Sequence, residues 1–259
     1  MRRRFYVEQF AKGSAVVRGE TAGHLARVLR AEAGQLYELS DGETAWVARV
    51  ERVTKKEVEF ALVEPLPARA AGPRIALLLS IVKFDRFEWC LEKTTELGVS
   101  EIVPLAATRS EKGLLLAAAK RATRWEKILR EAAQQARLLK PPVLREMRES
   151  RSAFSEIQAQ LKLFLSERSG APALRSALAV CSERDAALAI GPEGGWTDEE
   201  IAAAIAAGFR EVSLGENILR TETAVIAALA IVQYELGAKS GSEAPDKPHG
   251  ATARGATKS

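Results

Sequence analysis

Cysteine and histidine are nearly missing from this chain, which has two of each in 259 residues. Neither Cys90 nor Cys181 has a CxxC partner, and His24 stands far from His249. A cysteine- or histidine-based metal centre therefore lacks a ligand set, and no metal is expected. Two unpaired thiols fit buried structural cysteines in a reducing cytoplasm. No G-x-S-x-G elbow occurs, and His24 lies far from the strand-helix part of the chain, which argues against a Ser-His-Asp hydrolase. No apolar run approaches the roughly 18–20 residues that span a bilayer. Met1-Arg2-Arg3-Arg4-Phe5-Tyr6-Val7 passes straight from basic residues into a mixed strand pattern, unlike a signal peptide. GxGxxG and GxxxxGK[ST] are both absent, so neither common pyrophosphate cradle is present.

What is present reads as globular, with 47% hydrophobic and 28% charged residues. Residues 1–70 resemble a small β-barrel in pattern. Short strands are predicted over 3–7, 15–18, 35–40, 44–52 and 57–63, with Asp41-Gly42 as a hairpin turn. Val58, Phe60 and Leu62 alternate with Glu57, Glu59 and Ala61, the period of a half-buried strand. A short helix is predicted over 21–29, with Leu25, Val28 and Leu29 on its apolar side. Residues 64–73 hold three prolines and read as a linker.

From residue 74 to 237 the pattern alternates. Apolar strands are expected over 75–82, 101–106, 161–166, 186–190 and 211–214. Helices are expected over 86–97, 114–139, 153–160, 198–207 and 222–236. Such alternation predicts an α/β fold with a mostly parallel sheet covered on both faces. Thr197-Asp198-Glu199-Glu200 reads as a capping box. Residues 238–259 contain no large apolar side chain and are expected to be a disordered tail.

Two glycine corners carry the chemical signal. Ile190-Gly191-Pro192-Glu193-Gly194-Gly195-Trp196 and Leu214-Gly215-Glu216-Asn217-Ile218-Leu219-Arg220-Thr221-Glu222-Thr223-Ala224 each follow a strand and open a helix. Corners of this kind, at the carboxyl ends of neighbouring strands, describe a ligand crevice in an α/β sheet. Glu193 would repel a pyrophosphate, whereas a nucleoside with a positive centre, such as S-adenosylmethionine, would suit it. Tight packing corners without a ligand fit the same residues. Arg220 and Glu222 are either an ion pair at a helix start or a charge-stabilising pair for a reaction.

Charge is clustered. Residues 1–30 hold seven basic side chains against two acidic, a net of +5, and residues 109–148 hold eleven against four, a net of +7. Two basic segments fit a polyanion partner or simply solvated helix faces.

Together these motifs resemble the RsmE family of SPOUT-class methyltransferases, which modify N3 of a uridine in small-subunit ribosomal RNA. The resemblance runs from Arg4-Phe5-Tyr6-Val7 to Leu236. It takes in His24-Leu25-Ala26-Arg27-Val28-Leu29-Arg30, Lys83-Phe84-Asp85-Arg86-Phe87-Glu88-Trp89 and Glu92-Lys93-Thr94-Thr95-Glu96-Leu97-Gly98-Val99, besides both corners. It implies a PUA-like barrel followed by a SPOUT α/β domain with a carboxyl-terminal trefoil knot. It further implies a homodimer, with S-adenosylmethionine as cofactor. The implied cofactor contacts are Gly191, Pro192, Glu193, Gly194, Gly195, Leu214, Gly215, Ile218, Leu219 and Arg220. Arg220 is assigned to stabilise the uridine anion, and Glu222 or Glu193 to accept the N3 proton. Arg2, Arg3, Arg4, His24, Arg27, Arg30, Lys83, Arg86 and Arg109 are the candidate RNA contacts. Arg137 joins them, although it falls one place early relative to Gln135 for the family's pattern. A SPOUT ribose 2′-O-methyltransferase and a non-catalytic ribosome-assembly factor are the alternatives. The first is disfavoured because Leu219–Ala224 lacks an Asn-x-Ser-x-Ala segment.

Overall fold

In the computed structural model, residues 3–68, 72–179 and 184–238 are described. Arg2, Cys181 and nearly all of the expected tail lie outside them. Among the described residues no helix is long and apolar enough to cross a membrane.

The amino-terminal part contains β1 (Arg4–Tyr6), β2 (Ser14–Arg18), α1 (Gly19–Arg27), β3 (Leu36–Ser40), β4 (Ala45–Val53) and β5 (Glu57–Pro65). The strands form one curled mixed sheet in the order β1-β3-β4-β5-β2, parallel only between β1 and β3. The hairpin between β3 and β4 turns where expected. Asp41 Oδ1 accepts from the amides of Glu43 and Thr44 at 3.0 and 2.8 Å, and Gly42 takes φ +95°. Phe5, Leu25, Leu39, Val58 and Phe60 fill the concave side. β5 runs two residues into the expected linker, because Pro65 pairs with Trp46 at the end of the ladder. The helix expected over 21–29 forms two residues earlier, over Gly19–Arg27. The amides of Val28 and Leu29 both return to the His24 carbonyl and Arg30 takes φ +50°, which leaves Val28 66% exposed rather than in the core.

The second part contains β6 (Arg74–Ser80), α2 (Phe84–Glu96), β7 (Glu101–Ala106), α3 (Lys112–Ala118) and α4 (Ala122–Gln135). It continues with β8 (Val143–Leu144), β9 (Arg148–Glu149), α5 (Ser150–Glu156), β10 (Leu161–Leu165) and α6 (Leu174–Ala179). It ends with β11 (Asp185–Ile190), α7 (Asp198–Ala206), β12 (Arg210–Val212) and α8 (Thr221–Ala238). The sheet order is β12-β10-β11-β6-β7-β8, with β9 also on β7, and every pairing is parallel. Alternate residues of β6 serve opposite cores. Ile75, Leu77 and Leu79 pack with α2, α4 and α8, whereas Ala76 and Leu78 pack with α5 and α7. Burial on both faces explains the unbroken apolar run of this strand.

The long helix expected over 114–139 is broken between α3 and α4 by a 3₁₀ turn at Ala119–Arg121. Tertiary contacts override helix propensity here. The break lets Arg121 lie 4.0 Å over the Phe84 ring and reach Glu88 at 3.0 Å, while Trp125 sits 4.7 Å from Phe87. α4 then ends at Gln135 rather than 139, because Arg137 enters the left-handed region at φ +55°. The Leu138 amide donates back to the Ala133 carbonyl at 2.9 Å, a Schellman closure with arginine where glycine is usual.

This turn docks the first sheet. Arg4 donates to the Arg137 carbonyl at 2.7 Å, the Tyr6 hydroxyl to that of Leu138 at 3.1 Å, and the Ser40 hydroxyl to that of Leu139 at 2.7 Å. Beneath them the Glu38 carboxylate pairs with Arg4 at 3.0 Å and with Arg137 at 3.3 Å. Burial pushes the Tyr6 phenol well above its usual range, so it remains a donor. Arg4, expected as an RNA contact, is 7% exposed, and its guanidinium is committed to this joint. Arg137 is drawn into the same joint. Arg4→Ala would leave Glu38 buried with one partner fewer. We expect a loss of about 2–4 kcal/mol of unfolding free energy in a urea titration. A change within about 0.5 kcal/mol would show that the joint contributes nothing.

Candidate functional site

The carboxyl edge of a parallel sheet is where strands hand over to loops, and β10, β11 and β12 open there on one cleft. The two glycine corners are not on neighbouring strands, as the sequence suggests. β10 lies between β11 and β12, and its following residues Ser166, Glu167 and Arg168 form a third wall. Sequence reading missed this wall because the segment carries no glycine or motif. Trp196, Ile201, Ser213, Asn217, Thr221 and Ala224 also line the cleft without having been singled out.

Trp196 organises the first corner. Its ring stacks on Phe164 at 4.9 Å and meets Phe154 edge-on at 5.6 Å, and its Nε1 donates to the Leu165 carbonyl at 2.9 Å. Gly191 lies against this indole so closely that a Cβ would sit 2.9 Å from it. Only glycine allows that approach. The Gly195 amide closes the turn onto the Pro192 carbonyl at 2.9 Å, with Gly195 at φ +68°. α7 starts immediately afterwards with the expected capping box between Thr197 and Glu200. Glu200 is 1% exposed, and its other oxygen accepts from the Thr108 amide at 2.9 Å. This bond draws the loop after β7 alongside the corner, where Arg109 donates to the Gly194 carbonyl at 2.9 Å.

The second corner is held by Ser213. Its hydroxyl donates to the Gly215 carbonyl at 3.0 Å and accepts from the Gly215 amide at 3.1 Å, with Gly215 at φ +130°. Ser213, Leu214, Gly215, Asn217, Leu219, Thr221 and Ala224 face the cleft.

The structure separates the predicted cofactor residues into two groups. Gly191, Pro192, Gly195, Leu214, Gly215 and Leu219 line the cleft. Glu193, Gly194, Ile218 and Arg220 do not. Ile218 is 82% exposed, and Gly194 packs its backbone on Arg109. Arg220 is exposed between two cleft residues, Leu219 and Thr221, and its guanidinium forms no ion pair among the described residues. The buried Arg220–Glu222 pair is therefore not formed. Glu222 instead faces α2, with Oε1 3.9 Å from Arg86 Nε, while its buried Oε2 has no hydrogen-bond partner among the described residues. Arg86 also pairs with Glu193. Arg86, expected as an RNA contact, has its charge answered here by two carboxylates. Cys90 lies beneath, its thiol pushed up to about 12 by burial and by the Glu222 carboxylate. It packs as a neutral apolar group.

Of the remaining basic candidates, Arg3, His24, Arg27, Arg30 and Lys83 are exposed. Arg3 Nη1 and His24 Nε2 lie 3.4 Å apart, and Arg27 Nε donates to the Gly23 carbonyl at 3.3 Å. Arg109 is exposed but stands on the cleft wall rather than on the first sheet. Among the described residues no group of three His, Cys, Asp or Glu is arranged to hold a metal ion.

A family model described as an RNA methyltransferase domain matches residues 70–233. The chain is 34% identical over 230 residues to ribosomal RNA small subunit methyltransferase E of Synechocystis sp., covering 86% of this chain and 74% of that protein. To the same-named protein of Bacillus subtilis it is 28% identical over 228 residues, covering 85% and 89%. Among solved structures, ribosomal RNA small subunit methyltransferase E from Neisseria gonorrhoeae, bound to S-adenosyl methionine, matches with a TM-score of 0.80. Its identity is 31%, over 90% of this chain and 98% of that chain. A Legionella pneumophila methyltransferase in complex with the same cofactor gives 0.81 and 32% over the same shares. Family model, sequence relatives and folds agree, and the chain belongs to the ribosomal RNA small subunit methyltransferase E family.

Proposed function

We propose that the chain binds S-adenosylmethionine in this cleft and methylates N3 of a uridine in small-subunit ribosomal RNA. One observation carries the reading. The cleft lies between a glycine corner too tight for a side chain at Gly191 and a second that turns at positive φ on Gly215, without a phosphate cradle, in a member of this methyltransferase family. The donor set fits the cofactor. Leu165, Ile190, Leu214, Leu219 and Ala224 give apolar walls for an adenine, and Ser166 and Glu167 add polar groups suited to hydroxyls or a cation. When bound, the sulfonium nucleoside supplies an electrophilic methyl group.

The chain's own residues must then handle a proton and a charge. N3 of uridine becomes nucleophilic once its imide proton leaves, and the resulting negative charge spreads over O2 and O4. Arg220, a cation beside the cleft with no ion-pair partner among the described residues, stabilises that charge. Glu193, on the exposed rim, accepts the proton directly or through water, and Glu222, whose carboxylate faces α2 behind the cleft, is the second candidate. Arg220→Ala is expected to lower methyl-transfer turnover by about 10²–10³ with near-normal cofactor affinity. Near-wild-type turnover in a single-turnover assay would remove Arg220 from this role.

In the same reading, residues 1–70 are a PUA-like RNA-binding barrel, 74–237 a knotted SPOUT domain and 238–259 a tail, in a cytoplasmic protein. Arg3, His24, Arg27, Arg30 and Lys83 contact the RNA backbone, with Arg2 as a further candidate. Affinity for a ribosomal RNA fragment should fall more than about tenfold between about 50 and 200 mM salt. A flat dependence would rule out a phosphate-dominated interface.

The protein acts as a homodimer. α8 is apolar on all sides, yet only one side reaches the core. Ile231 and Tyr234 stay exposed on it, as does Trp89 on the adjoining α2. A second copy of the chain covers this face. Ile231→Asp should shift the mass measured by light scattering from two chains to one. A wild-type mass of one chain would refute the dimer.

A further inference from the structure

We infer that Arg86 is a positioning residue that joins the two glycine corners, so that cofactor affinity depends on a side chain outside the cleft. The inference rests on the cofactor reading above. None of the hydrogen bonds among the described residues runs directly from residues 191–196 to residues 213–222. Each corner is closed on itself, the first by Gly195 on Pro192 and the second by Ser213 on Gly215. The connection runs through Arg86 on the first turn of α2, which pairs with Glu193 of one corner and Glu222 at the start of α8.

Both carboxylates stand beside cleft-lining residues. Pro192 and Gly195 flank Glu193, and Thr221 and Ala224 flank Glu222. Arg86 thus grips each loop from behind its binding surface. Its side chain is 28% exposed and that of Glu222 20%, so the inner pair is shielded from solvent. The outer pair, with Glu193 47% exposed, is weaker. Besides Arg86, the neutral Cys90 thiol on the next turn of α2 faces Glu222. Without Arg86, Glu222 would keep a buried charge with no cation beside it. The first corner would lose its tie to α8.

Calorimetric titration of the full-length chain with S-adenosylmethionine tests this. Arg86→Met should weaken binding about tenfold and Arg86→Lys only about threefold. The cofactor KM should rise in step while the KM for RNA stays unchanged. Glu193→Gln, on the exposed rim where folding is not at risk, should weaken binding about threefold. The double variant Arg86→Met/Glu193→Gln should bind no worse than Arg86→Met alone. Binding by Arg86→Met within twofold of wild type would overturn the inference, as would fully additive losses in the double variant. Should Arg86→Met fail to fold, wild-type affinity in Glu193→Gln/Glu222→Gln would overturn it equally. A wild-type chain that does not bind S-adenosylmethionine would instead overturn the functional reading itself.

Discussion

Trp196 ties together the strands whose ends make the cleft. Its Nε1 is bonded to the last carbonyl of β10, and its ring face is occupied by Phe164 of the same strand. Gly191, the first residue past β11, rests on the indole where any side chain would collide. One aromatic ring therefore sets the distance between two parallel strands just where their ladder stops. The glycines around it follow from that contact. A backbone that must approach a ring this closely has no room for a Cβ, and the turn that brings it there needs a positive φ at Gly195.

Electrostatics at the cleft are arranged in depth. Carboxylates that would otherwise repel each other, Glu193 and Glu222, share one cation, Arg86. Arg220 stands at the mouth without an ion-pair partner among the described residues. Farther in, Glu200 is buried but bonded by backbone amides from two loops, so it costs little and aligns Arg109 with the first corner. Three carboxylates of one chemical type thus do different jobs, set by what faces each of them.

The strand-helix alternation and the two corners were readable from residue order, because hydrophobic period and glycine placement are local properties. The capping box at Thr197 and the turn at Asp41 were readable for the same reason. Strand order was not local. That β10 separates β11 from β12 is decided by crossover geometry, so its Ser166–Arg168 wall left no trace in the sequence. The split of α3 from α4 was hidden as well, since it depends on Phe84 and Glu88 of another helix. Arg4 and Arg86 looked like surface cations by type, and only their distant partners Glu38 and Glu193 show otherwise.

The joint between the two sheets relies mainly on carbonyls. Arg137, Leu138 and Leu139 offer main-chain oxygens to Arg4, Tyr6 and Ser40. Main-chain acceptors are indifferent to what side chain follows them, so positions 138 and 139 are free to drift while the receiving residues are not. Loop length is the guarded quantity. Adding or removing one residue after α4 would rotate every acceptor away from its donor at once and re-aim the first sheet.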